Sequence, residues 1–175
     1  EQARQYRREH GMPLPESKKA KSPEFHGCPG SQMHDRREKE AAAHSGPAAS
    51  ASALRTWPVQ LQLLNPQASF FDNADLLIAA DCVPFAHAAF HEDFVKGKIP
   101  VIFCPKLDHV GDQYLEKLTA IFTLHPIRSL HVVHMEVPCC SGTTALVRQA
   151  LAQSKKTIPV HDYTISIQGK LLAVK

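Results

Sequence analysis

No Cys-x-x-Cys pair occurs in this chain, so neither a zinc ribbon nor a simple iron–sulfur loop is written into it. Gly-x-Gly-x-x-Gly, the P-loop and Gly-x-Ser-x-Gly are missing too, which removes the usual sequence grounds for dinucleotide, nucleotide or serine-hydrolase chemistry. No apolar run approaches the roughly 18 residues that suggest a membrane span, and the N-terminus carries no signal-peptide core. No membrane partner is expected. Charge of one sign is also scarce. The formal net charge is +3, with nine basic and seven acidic residues before Leu54 and eleven and ten from there on. So weak a field gives no reason to expect nucleic acid. No repeat recurs at a fixed period.

What is present falls into two parts. Residues 1–53 are rich in Pro, Ser, Lys and Ala without apolar periodicity, and read as a disordered linker or tail. Cys28 sits there in a Gly/Pro turn, HGCPGS. The chain begins at Glu1 rather than Met, which leads to the expectation of a fragment or processed form with sequence upstream.

Residues 54–175 read as one α/β domain. WPVQLQLLNP alternates apolar residues at Val59, Leu61 and Leu63, a short strand pattern. ADLLIAADC, IPVIFC and SLHVVHMEVP are near-continuous apolar runs, the signature of strands buried on both faces. VPFAHAAFHEDFVKG reads as a helix stopped by Gly97, with Ala86, Ala89, Phe90 and Phe94 on its buried face. Tyr114, Leu115, Leu118, Ile121 and Phe122 mark the next helix. SGTTALVRQALAQSKK is a third, with Ser141 as candidate cap and Leu146, Ala150 and Leu151 on its face. VHDYTISIQGKLLAVK is a last strand or a hairpin turning at Gln168-Gly169. Alternation of β and α predicts a three-layer sandwich with right-handed crossovers and a mostly parallel sheet of about four strands.

Four of the five cysteines fall where three such strands end: Cys82, Cys104 and the pair Cys139-Cys140. Strand ends of a parallel sheet share one edge, where ligands bind. Thiolates are soft ligands for Fe–S clusters, zinc or copper(I), and four is the count for a [4Fe-4S] cluster or a tetrahedral zinc. Each cysteine precedes, or nearly precedes, a helix start, whose partial positive charge favours thiolates. A cysteine is also a small apolar residue suited to any core. Adjacent cysteines diverge along extended backbone, so one of the pair is the ligand candidate. An odd number of thiols, mostly at strand ends, argues for a reducing compartment, the cytoplasm. Cys28, His91 and Lys106 are further candidates: a ligand if the tail folds back, a ligand at i+4 from His87, and a cation offsetting cluster charge. Asp81 and Asp108 lie on the same edge. His131 and His134 project to opposite faces of a strand and so do not act together.

Taken jointly, AADC, CPKLD and MEVPCC, with WPVQLQLLNP and HGCPGS, resemble a family of anaerobe-associated ferredoxin-like 4Fe-4S binding domain proteins. The resemblance spans most of residues 54–150. It implies a [4Fe-4S] cluster, electron transfer, and a ferredoxin module in cis or in trans as partner. That module precedes HGCPGS in the family and is absent here. His109 and Ser141 stand where the family has an acidic residue and a glycine. Two other readings stay open: a zinc-binding or docking module without redox chemistry, and an enzyme using a low-pKa thiolate at Cys139 or Cys140.

Overall fold

Strand runs with no polar alternation need cover on both sides, and that need organises the fold. The computed structural model describes residues 33–35, 52–109 and 111–175. Cys28 and most of the tail lie outside them. Within the tail, β1 (His34–Asp35) pairs antiparallel with β2 (Thr56–Trp57), a pairing the linker reading did not foresee.

The main sheet has five strands in the order β4-β3-β5-β6-β7. These are β3 (Asp75–Ala80), β4 (Ile99–Phe103), β5 (Ser129–Met135), β6 (Val160–Ile165) and β7 (Leu171–Val174). The first four are mutually parallel, and β7 returns antiparallel to β6. The expected sheet is thus correct in kind and one strand larger, because the hairpin alternative at Gly169 is the one realised.

Alternation along the strands sends Leu76, Ile78, Val101, Phe103, Leu130 and Val132 to one face. Two fourteen-residue helices cover it: α2 (Gly111–Leu124) and α3 (Ser141–Ser154). Tyr114, Leu118, Ile121 and Phe122 of α2 and Val147 and Ala150 of α3 complete this core. The opposite face gathers Leu77, Ala79, Val133, Met135 and Ile165. Among the described residues it is covered by short pieces: α1 (Val83–Ala86) and a π-type turn at His91–Val95, with Val83, Phe90, Phe94 and Val95 buried against it.

Two local expectations fail. The alternating segment around Val59 forms a 3-10 turn at Leu61–Leu63 instead of a strand; the Gln60 side chain accepts from the Gln62 amide and starts the turn. Leu61 and Leu64 are buried and Leu63 is exposed, the three-residue spacing of a 3-10 turn in place of strand alternation. The helix expected over 83–97 breaks at His87, whose backbone is extended. Phe90 and Phe94 keep their buried role, but Ala89 is exposed. Gly97 does end the segment, in the left-handed region at φ 76°.

Candidate functional site at the carboxyl edge of the sheet

β4 lies on one side of β3, and β5 on the other, so the direction of winding reverses at β3/β5. In open α/β sheets a crevice opens at the carboxyl ends beside such a switch point. The cysteines straddle it. Ala80 is paired with Phe103, and Asp81 N donates to Phe103 O at 3.3 Å, which brings Cys104 level with Asp81 and one residue short of Cys82. β5 ends at Met135, and a 3-10 turn at Pro138–Cys140 leads into α3. Because that turn is not extended, the adjacent cysteines are separated by burial: Cys139 is exposed and Cys140 buried.

Each thiol sits in a distinct setting. Cys82 is exposed and caps α1, its carbonyl accepting from Phe85 N at 3.2 Å and Ala86 N at 3.1 Å. Pro84 in the first turn asks for no donor. Cys104 is half-buried and closes the CPKLD turn. Its amide donates to Asp108 Oδ2 at 2.9 Å, and Asp108 N donates to Cys104 O at 3.1 Å. Tyr114 Oη also donates to Asp108 Oδ2 at 2.9 Å, tying α2 to this turn. Burial and the hydrogen-bonded Asp108 carboxylate keep the Tyr114 phenol protonated far above its ordinary range. Cys140 is pushed up to about 11. Burial is the main cause, a backbone hydrogen bond at Met135 opposes it, and the neighbouring thiols of Cys139 and Cys82 add to it.

Cys82, Cys139 and Cys140 therefore form one electrostatic group, and Cys104 belongs with Asp81, Asp108 and Tyr114. The two halves touch at Gly142 and the Pro105 ring: a Cβ on Gly142 would meet Pro105 Cβ at 3.0 Å, so the start of α3 rests on the CPKLD turn. Asp81 faces inward. Its Oδ1 is buried with no hydrogen-bond partner among the described residues, and its pKa is raised by burial first and by Asp108 second. Among the described residues no group of three or more His, Cys, Asp or Glu is placed to hold a single metal ion.

The remaining candidates separate from this edge. Lys106 is exposed on the CPKLD turn. His91 is exposed, and its Nδ1 accepts from Ala53 N at 3.2 Å. His87 turns away from it: Nδ1 donates to Gly169 O at 2.8 Å, and Nε2 meets Asp93 Oδ2 at 2.7 Å. The break at His87 thus ends the i,i+4 pairing that would let the two imidazoles share a metal. His131 and His134 do part company, as their spacing requires. His134 Nε2 contacts Asp162 Oδ1 at 3.1 Å, and His131 joins Ser129 and Tyr163. The sequence reading treated Tyr114 only as a core residue. A tyrosine among leucines at helical spacing carries no local sign of its Asp108 partner. Ser141 is not the cap of α3; Cys140 occupies that position and Ser141 Oγ donates to Pro138 O at 2.7 Å.

The five-stranded sheet, its strand order and the crevice define a Rossmann-type α/β domain. The family whose sequence profile matches residues 68–175 is described as a Rossmann-like domain, and the chain belongs to it. A relative from Archaeoglobus fulgidus, described as an uncharacterized protein, is 28% identical over 116 residues, which is 66% of this chain and 81% of the relative. No solved structure matches. These findings overturn the resemblance to ferredoxin-like 4Fe-4S proteins: the family found is the Rossmann-like domain, and neither match carries a ferredoxin description. The shared short motifs lie at strand ends, where a parallel α/β sheet places its turns whatever it binds. A dinucleotide, the common guest of such folds, does not fit the first βα turn. That turn reads Asp81-Cys82-Val83-Pro84, has no glycine to admit a pyrophosphate, and opens a helix of only four residues.

Proposed function

We propose that this domain is a thiol-ligated redox module of the cytoplasm. In this reading Cys82, Cys104 and one of Cys139 and Cys140 hold an iron–sulfur group at the carboxyl edge, and a separate electron carrier is the partner. One observation carries the reading: three hydrogen-bonded neighbours, β4, β3 and β5, each deliver cysteine to the same edge, across the switch point. A single ion needs its sulfurs crowded around one point, with bonds of about 2.3 Å. A [4Fe-4S] cube holds its sulfurs on the order of 6–7 Å apart, scaled from the same bond length. When bound, such a group supplies one-electron transfer. The protein's part is to seat it: the start of α3 brings a helix's partial positive end to this edge, and Lys106 offers a nearby positive charge.

Anaerobic reconstitution of the full chain with iron and sulfide tests this. The expected result is a broad visible charge-transfer band and bound iron and sulfide. Both signals should be lost in Cys82→Ser and in Cys104→Ser while the fold persists. Retention of iron and sulfide by both variants would overturn the reading.

A second reading rests on the exposed Cys139 beside the buried Cys140: a dithiol that exchanges with substrate disulfides. It predicts no iron uptake, together with loss of two protein thiols on addition of oxidised glutathione, as a protein disulfide forms and two molecules of reduced glutathione are released.

A further inference from the structure

We infer that the outer edge of β7 is a docking strand for an extended segment of a partner protein, apolar at alternate positions and acidic at both ends. β7 closes the sheet, and among the described residues it has a strand neighbour on its β6 side only. Its ladder fixes which backbone groups face outward. Asp162 N donates to Lys175 O at 3.0 Å and Lys175 N to Asp162 O at 2.9 Å, so residue 175 points toward β6. Thr164 faces Ala173 two residues along, which repeats that orientation. By alternation, the N–H and C=O groups of Val174 point away from the sheet; beyond Ala173 the register shifts, and Leu171 rather than Leu172 faces Ile165.

Edge strands are normally blunted by charge, proline or bulges. Here the strand is short, bracketed by Lys170 and Lys175, and shifted in register at Leu171-Leu172, but its side chains stay apolar and exposed. Leu172 is 54% exposed and Val174 55%, and Leu171 and Ile167 are exposed beside them. An apolar strip next to free backbone donors and acceptors is the pattern that strand addition uses. The lysines select the occupant. A two-fold antiparallel pairing of two copies would set Lys170 of each beside Lys175 of the other at both ends, so the charges repel. A strand with carboxylates near its ends meets those lysines with opposite charge and lays its apolar side chains against Leu172 and Val174.

The probe is a capped, fluorescently labelled peptide of about ten residues, enough to cover a strand of ordinary length. It alternates valine and threonine between glutamate pairs, and a control carries lysine pairs instead. Anisotropy with the full chain should show binding of the acidic peptide, weakening with salt, and little binding of the control. Val174→Pro should abolish binding with far-UV circular dichroism and thermal unfolding unchanged, because the amide it removes faces away from β6. Lys170→Glu combined with Lys175→Glu should weaken the acidic peptide by roughly tenfold and admit the lysine peptide. Equal affinity for the two peptides, or none for either, overturns the proposal. So does a dimer of the full chain in sedimentation equilibrium that Val174→Pro dissociates, which would give the edge to a second copy.

Discussion

The two faces of this sheet are covered by different means. One carries α2 and α3, regular helices whose apolar stripes meet the sheet in a continuous core. The other carries α1, one π-type turn and connecting chain, held down by specific polar contacts of His87 to Gly169 and Asp93. Burial on the first face is generic and strong. On the second it is supplemented by a few directional bonds, each of which depends on pH or on one backbone conformation.

The largest effect should come from the helical face. Phe122 is fully buried beneath α2, and Phe122→Ala should cost about 3–5 kcal/mol. Denaturant unfolding measures this. A loss as small as that of a surface change would mean the helices contribute less than their packing indicates.

The next effect belongs to the other face. Gly169 has φ 81°, and a Cβ there would sit 2.2 Å from Ala86 O. Gly169→Ala should therefore cost about 1–3 kcal/mol, from strain and from displacement of the hairpin turn. Gly142→Ala meets only Pro105 Cβ at 3.0 Å and should be milder. Equal losses at the two glycines would break the distinction between a fastened turn and an ordinary contact.

These contrasts also set what was readable in advance. Three central strands follow from unbroken apolar runs and the faces of α2 and α3 from helical periodicity, because burial on two faces removes polar residues and burial on one imposes a period. The second face obeys no period. Ala86, Phe90 and Phe94 fit a continuous helix, yet the chain breaks at His87 because its imidazole finds Gly169, a partner 82 residues away that no local window contains. The cysteines were legible as strand-end residues. Which way each thiol faces was not, because the turns after β3, β4 and β5 differ in kind.

Titration should separate two histidines of the same face in opposite directions. His131 is depressed to about 4, by burial first and then by Lys98 and His161, against Asp75. The unfolded chain binds that proton more readily, so stability falls as pH drops from the ordinary histidine range, about 6.5, toward 4. His87 is raised, chiefly by its bond to Asp93 and then by Gly169 O. Its contribution is complete below about pH 6.5 and fades as pH rises through the elevated folded value. Melting curves of His131→Gln should lose the acid-side slope, and those of His87→Gln the slope above neutrality. Variants that shift the same limb would show that one network holds both.

The smallest effect is expected at Asp81. Its raised pKa means that ionisation opposes folding as pH climbs above the ordinary carboxylate value. Asp81→Asn should raise the melting temperature slightly at neutral pH and leave it unchanged near pH 3. A fall at neutral pH would mean that the carboxylate has a partner among residues outside those described.

The contact between His87 and Gly169 has one more consequence, for motion. α1 starts at Cys82 and ends at His87, which holds the turn between β6 and β7. Fraying of that hairpin and release of α1 are then a single opening event with a single free energy. Amides of Phe85, Ala86, Gly169 and Lys170 should exchange with solvent deuterium as one cooperative unit, earlier than those of β3 and β5, and His87→Gln should split that unit in two.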